Sequence, residues 1–314
     1  MKPIIYVDGA AGTTGLEIRQ RLAGRSDIEL ISLSDNNRKD LSERSRVLNE
    51  ASVAILCLPD EAARESVACI QNPAVRVLDA STAHRAAPNW VYGFAELEPG
   101  QRDAIAAARY VSNPGCYPTG FLALVRPLVG AGIVPAGFPL TVNAVSGYSG
   151  GGKSMIEEFE DDTSPRFTRA VVRTYALGLS HKHIPEMQIH GGLAHPPVFA
   201  PAVGRFYRGM LVEIPLQLWA LPGQPNVSEI YDVLAAAYAN EALVEVEAVN
   251  GVGATLDAEM MRDSDRMKLF VLGNETTRQV RLVAALDNLG KGASGAAVQN
   301  LNLMLGVPET TGLR

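Results

Sequence analysis

Pro3-Ile4-Ile5-Tyr6-Val7-Asp8-Gly9-Ala10-Ala11-Gly12-Thr13-Thr14-Gly15 is the stretch on which the fold turns. A short apolar strand at about 3–8 runs into three glycines at G-x-x-G-x-x-G spacing, and a helix is expected at about 13–22, with Leu16, Ile18 and Leu22 set among polar residues. That order lets backbone amides approach a pyrophosphate at the positive end of a helix, so Gly9, Gly12, Thr13, Thr14 and Gly15 are candidate dinucleotide contacts. A tight turn with no ligand would show the same glycines; the strand before them and the helix after them favour the nucleotide.

Outward from this turn, 28–33, 53–58 and 75–78 read as further strands, rich in Val, Ile and Leu on both faces. Doubly apolar strands with helical spacers predict a parallel α/β sheet. The middle of the chain differs. Strands are expected at 140–145, 198–203, 210–218, 244–249, 268–272 and 279–285, often too close together for helical crossovers, which predicts an antiparallel or mixed sheet. A helix at 227–238, capped by Asn226 or Ser228, lies among them, and a small-residue helix at 292–305 closes the chain. The fold class is therefore α/β: an N-terminal Rossmann-like dinucleotide-binding domain, then an α+β domain, with the change of pattern near 115–120.

The 314 residues are too many for one ordinary core and agree with two domains. A net charge of -6 argues against a polyphosphate partner such as nucleic acid. The N-terminal apolar run is too short for a signal peptide, and no run approaches membrane-spanning length. Three unevenly spaced cysteines fit a reducing cytoplasm better than a disulfide framework or a zinc cluster.

Where an acidic residue would meet the ribose 2′-hydroxyl, the chain reads Ser32-Leu33-Ser34-Asp35-Asn36-Asn37-Arg38-Lys39. Asp35 favours NAD; Ser34 at the deciding position, with Arg38 and Lys39 to neutralise a 2′-phosphate, favours NADP, and NADP(H) is the expected cofactor. A solvated turn would carry the same cations.

Cys57 lies in an apolar strand and Cys69 on an apolar helix face, so both read as small core residues. Cys116 is different. It follows the polar turn Ser112-Asn113-Pro114-Gly115 and precedes Phe121-Leu122-Ala123-Leu124-Val125, which places the thiol near a helix N-terminus, a setting that favours thiolate. A Pro-Gly turn with an incidental buried cysteine is the plain alternative.

Asn113-Pro114-Gly115-Cys116-Tyr117-Pro118-Thr119-Gly120 resembles the active-site segment of the N-acetyl-γ-glutamyl-phosphate reductases of arginine biosynthesis, which share a fold with aspartate-semialdehyde dehydrogenases. The likeness continues through 9–15, through Ser81-Thr82-Ala83-His84-Arg85 and through Asp287-Asn288-Leu289-Gly290-Lys291-Gly292-Ala293-Ser294-Gly295, and so spans nearly the whole chain, in the manner of the shorter subtype. His84 stands where related enzymes often carry an aromatic. The resemblance implies NADPH-dependent reduction of a small acyl phosphate through a Cys116 thioester, in a cytoplasmic homodimer or homotetramer with no metal. It implies a nucleotide domain of 1–115 completed by 287–314, a catalytic domain of 116–286, and Asn288 near the nicotinamide carboxamide.

Thioester chemistry needs a proton carrier, and His181-Lys182-His183-Ile184-Pro185-Glu186 resembles the family's catalytic-histidine region, matching the acid/base to His183, with His181 the other candidate. Glu186 and Asn113 fall in these two segments and are candidate substrate contacts, and Arg85 is a candidate for phosphate. Gly147-Tyr148-Ser149-Gly150-Gly151-Gly152-Lys153-Ser154 satisfies the P-loop pattern G-x-x-x-x-G-K-S. It falls where the sheet turns antiparallel, so we read Ser146, Gly147, Ser149 and Lys153 as an anion cradle for the substrate, where the resemblance also places a glycine-rich loop. The competing functions are reduction of aspartyl or aminoadipyl phosphate, a P-loop phosphotransferase using 147–154, and a non-catalytic dinucleotide sensor.

Overall fold

The computed structural model describes every residue except Met1, Ala11, Asp35, Asn36, Arg38 and Lys39. Two compact units divide the chain: Met1–Ala95 with Gly100–Pro114 and Ala293–Leu313, and Glu96–Pro99 with Gly115–Gly292 and Arg314.

In the first unit, strands β1 (Ile4–Asp8), β2 (Glu29–Ile31), β3 (Val53–Leu56), β4 (Arg76–Asp79), β5 (Val91–Tyr92) and β6 (Tyr110–Ser112) form one sheet in the order β2-β1-β3-β4-β6-β5. Every pairing in it is parallel. Helices α1 (Thr13–Leu22), α2 (Leu41–Glu50), α3 (Asp60–Ala68) and α4 (Gln101–Ala107) intervene, and a C-terminal helix, Gly295–Leu305, packs on α1, α4 and β4. Ile5, Val7, Ile55 and Leu78 face Ile18, Leu22, Val298 and Leu301, while Tyr6, Ala54, Leu56 and Val77 face Val47, Leu48 and Ala63. Covering both faces is what an all-parallel sheet requires. Leu16, expected on the apolar face of α1, is 44% exposed instead. Strand β2 is shorter than expected because it is an edge strand paired on one side only. The chain leaves β1 at the point where strand order reverses, between β2 and β3, which is where ligands bind open α/β sheets.

The second unit is built on α5 (Cys116–Gly130), β7 (Thr141–Gly147), α6 (Gly152–Glu160), β8 (Val172–Thr174), α7 (Ile184–Gly191), β9 (Val198–Gly204), β10 (Met210–Gln217), α8 (Val227–Tyr238), β11 (Val244–Val246), β12 (Met267–Asn274) and β13 (Gln279–Leu286). Its sheet runs β11-β12-β13-β10-β7-β9-β8 and is mixed: β12, β13, β10 and β7 are antiparallel in turn, whereas β7 and β9 are parallel. That parallel pair demands a long crossover, and α6, β8 and α7 fill it. The two helices are absent from the sequence reading because glycines 150–152 and Pro185 resemble loop punctuation. Helix α8 runs over 227–238 as its pattern suggests, and Asn226 and Glu229 close a capping box, a contact worth about 1 kcal/mol. The tail helix begins at Gly295, later than its composition implied, because Gly290–Ser294 winds as a wider π turn.

Candidate active site

At the end of β1 the backbone folds so tightly that side chains are excluded. Gly9 has φ +81°, and a Cβ there would lie 2.2 Å from the Cys57 carbonyl oxygen. The Gly12 amide donates to the Gly9 carbonyl at 3.1 Å, and a Cβ on Gly15 would meet that same oxygen at 2.6 Å. Among the described residues no side chain caps helix α1 and its first turn holds no acidic residue, so the positive end of the helix suits an external acceptor. A close-approach cradle at a positive helix end fits the pyrophosphate of a dinucleotide. Ser34 is exposed beyond β2, and its carbonyl accepts from Asn37. Asp35, Arg38 and Lys39 lie outside the described residues.

Arg85 and Asn113 come together in this unit. The nearly buried Arg85 guanidinium donates from Nε to the Asn113 carbonyl at 2.9 Å and from Nη2 to the Ala80 carbonyl at 3.2 Å. The Asn113 side chain donates to the Ala293 carbonyl at 3.0 Å and accepts from Asn300 at 3.1 Å. Both side chains therefore fix the turn that leads to Cys116. His84, read as a departure, stacks on Trp90 at 4.1 Å with Nδ1 2.6 Å from the fully buried Asp79 carboxylate, which also accepts from Ser81.

In the second unit, Cys116 is the first residue of α5 and is half-buried. The helix behind it is held flat on the sheet: Gly120 lies so near Val212 and Ala284 that a Cβ would come within 2.9 and 3.3 Å of them. Gly115, the N-cap residue, brings no capping side chain of its own. Glu186 supplies that role from α7, where its buried Oε1 accepts the Gly115 amide at 2.7 Å. Expected as a substrate contact, Glu186 thus grips the backbone one residue before the sulfur.

His183 sits at the N-cap position of α7 and is 6% exposed. Its ring lies 5.9 Å from that of Tyr117, the residue after Cys116, and 4.7 Å from that of His181. The His183 amide donates to His181 Nδ1 at 3.1 Å. Burial, and then the charge of Lys182, push His181 down to about 4, so near neutral pH it is an uncharged ring whose proton sits on Nε2. Tyr175 donates to the Tyr117 hydroxyl at 3.0 Å; burial first of all pushes Tyr175 up to about 12 and Tyr117 well above its usual range. Tyr175 was not anticipated, since one tyrosine in a loop carries no signal of its own. Among the described residues no group of three or more His, Cys, Asp or Glu could hold a metal, and no helix is long and apolar enough to cross a membrane.

The loop after β7 corrects one expectation. The amides of Gly147, Tyr148 and Ser149 do not face an anion; they donate to the carbonyls of Gly209, Phe206 and Tyr207 at 2.9, 3.0 and 3.1 Å. A P-loop needs such amides for phosphates and a parallel sheet behind them, whereas β7 has antiparallel β10 on one side. The phosphotransferase reading fails on both counts. Ser146 and Ser149 are buried, and Lys153 is exposed at the start of α6. Asn288 belongs to this second unit and binds the loop together: its Nδ2 donates to Ser149 Oγ at 2.9 Å and its Oδ1 accepts the Gly209 amide at 2.8 Å.

Residues 5–108 match the NAD binding domain family of semialdehyde dehydrogenases, and 116–288 match their dimerisation domain family. Among curated relatives, the N-acetyl-gamma-glutamyl-phosphate reductase 2 of a Nostoc species is 54% identical over 320 aligned residues, covering 99% of each chain. The N-acetyl-gamma-glutamyl-phosphate reductase of Brucella anthropi is 53% identical over 309, covering 98% of this chain and 99% of that one. Among solved structures, aspartate semialdehyde dehydrogenase II of Vibrio cholerae superposes with a TM-score of 0.73 at 16% identity, covering 98% of this chain and 99% of that one. A probable aspartate-semialdehyde dehydrogenase of Pseudomonas aeruginosa gives 0.74 at 18%, covering 97% and 99%. At such identity the structural likeness speaks for the fold alone.

Proposed function

The chain belongs to the N-acetyl-γ-glutamyl-phosphate reductase family, and we propose that Cys116 is its acyl-accepting nucleophile and His183 its acid/base. The activity is the NADPH-dependent reduction of N-acetyl-γ-glutamyl phosphate to N-acetylglutamate 5-semialdehyde and phosphate, a step of arginine biosynthesis. The observation that carries the residue assignment is the place of Cys116 as first residue of a buried helix, with Glu186 fixing the amide before it and His183 beside Tyr117.

Cys116 Sγ attacks the acyl carbon, the bond to phosphate breaks, and inorganic phosphate leaves with the electron pair. A thioester remains, which divides one hard step into two easier ones. NADPH, when bound, would supply the hydride that reduces it. Hydride addition leaves a tetrahedral oxyanion on the Cys116 adduct, which His183 protonates to the thiohemiacetal; His183 takes that proton back as the C–S bond breaks, the aldehyde departs and the thiolate returns. The helix start of α5 stabilises negative charge on sulfur at both ends of the cycle. Gly9, Gly12, Thr13, Thr14 and Gly15 would hold the pyrophosphate, and Ser34 with Arg38 and Lys39 would read the 2′-phosphate. Glu186 fixes the backbone before the sulfur and Asn288 fixes the loop after β7, Arg85 and Asn113 hold the backbone of their own unit, and the exposed Lys153 offers the acyl phosphate a cation. A homo-oligomer, supported by the dimerisation-domain match and measurable by light scattering, and a cytoplasmic setting complete the proposal.

Cys116→Ser tests it. Turnover should fall by on the order of a thousandfold or more, with the NADPH affinity and thermal midpoint of the parent. Retained turnover would rule out the thioester. A panel of semialdehydes assayed with NADP and phosphate checks the acyl group: oxidation of aspartate semialdehyde in preference to the N-acetylglutamyl aldehyde would overturn the substrate assignment.

A further inference from the structure

The second unit contains a buried pair of full charges that the proposed chemistry leaves unused. Lys291 Nζ donates to both carboxylate oxygens of Glu96, at 2.8 and 2.9 Å, and the two side chains are 1% and 0% exposed. Such a pair is a poor way to stabilise a fold, because removing both charges from water costs about as much as their attraction returns, and an apolar pair of like volume often serves as well. What it does supply is a fixed geometry.

Each end of the pair leads to Cys116. Lys291 is the second residue of the turn Gly290–Ser294. The next residue, Gly292, lies flat against the cysteine: a Cβ on it would come 2.8 Å from the Cys116 Cβ and 3.3 Å from its Cα, and its amide donates to the Asp287 carbonyl at 3.0 Å. Glu96 belongs to the short segment Glu96–Pro99. Two residues on, Glu98 pairs with Arg126 of α5, the helix that Cys116 begins, at 2.5 Å. From a partly exposed ion pair on α5 the connection thus runs through Glu98, Glu96, Lys291 and Gly292 to the face of the nucleophile.

We propose that the Glu96–Lys291 pair is a positioning device for the reaction at Cys116, holding the Gly292 backbone as a wall that limits where the sulfur can swing. This rests on the reading of Cys116 as nucleophile. Angstrom-scale misplacement of a reacting group costs on the order of a hundredfold in rate. The pair acts through Gly292 and touches neither substrate nor cofactor in this role.

The test uses the full-length enzyme carrying Glu96→Leu with Lys291→Met, which removes both charges and leaves neither one buried alone. The expected result is a folded protein whose kcat is down on the order of tenfold to a hundredfold while KM for the acyl phosphate stays within about twofold of the parent. A folded double variant with parental kcat, or one altered in KM alone, overturns the proposal. If the double variant does not fold, Glu96→Asp decides by the same criterion, since it keeps both charges and shortens the reach by one methylene: a loss in kcat at unchanged KM and thermal midpoint supports the pair's role, and parental kcat overturns it. Cys116→Ser, assayed alongside, separates the two levels, because activity in that variant sinks the nucleophile assignment whatever the pair does.

Discussion

After β1, Gly9 takes φ +81° and the first-turn amides of α1 meet no capping side chain; after β7, the amides of Gly147, Tyr148 and Ser149 donate to carbonyls of residues 206–209. Both turns leave a strand for a helix through closely spaced glycines, and the second is the better match to a phosphate-binding pattern. The difference lies in the neighbours. The first turn sits at the reversal point of a parallel sheet, the place where open α/β sheets take their ligands. The second turn packs under its own chain: a Cβ on Gly147 would come 2.5 Å from the Tyr207 carbonyl oxygen, so that glycine serves chain-to-chain packing. A glycine motif therefore states that backbone must approach something closely, and only the surrounding sheet says whether that something is a ligand.

Gly15→Val presses hardest on this contrast. Its side chain would collide with Gly9, whose carbonyl oxygen lies 2.6 Å from the Cβ position, so NADPH affinity should fall on the order of a hundredfold or more in a fluorescence titration. Parental affinity would break the comparison from the first side. A middle-sized effect concerns His181. Its folded pKa, about 4, is below the ordinary value of 6.5, so the unfolded chain takes up more protons between them. The contribution of this neutral ring is thus fully present above about pH 6.5 and is lost as pH falls through about 4. His181→Phe should flatten that part of the stability profile in urea titrations at stepped pH, and an unchanged slope would contradict the burial argument. The smallest effect belongs to Lys153→Ala. An exposed lysine beside an anion contributes weakly, so KM for the acyl phosphate should rise by no more than about threefold and no ATP binding should be present to lose. Magnesium-ATP binding abolished by this change would restore the P-loop.

The legible parts of this molecule were those whose physics is local. Doubly apolar strands announced the parallel sheet, Asn226, one of two candidate caps, announced the start of α8, and the Pro-Gly turn before an apolar run announced that Cys116 begins a helix. What stayed hidden depends on partners far along the chain. Glu186 reaches the Gly115 amide across 71 residues, and Lys291 meets Glu96 across 195. No spacing rule pairs such residues, because tertiary packing sets their meeting. The helices α6 and α7 were hidden for a different reason: glycines 150–152 and Pro185 break local helical pattern, and only the demand for a crossover between parallel β7 and β9 explains them.

The central claim is a covalent acyl group on one sulfur, and it can be weighed directly. Enzyme mixed with N-acetyl-γ-glutamyl phosphate in the absence of NADPH should release phosphate in a burst of one equivalent per active site. Rapid acid quench and peptide mass spectrometry should then find the acyl mass on the peptide that contains Cys116. No burst, or an acyl group on any other residue, would contradict the account.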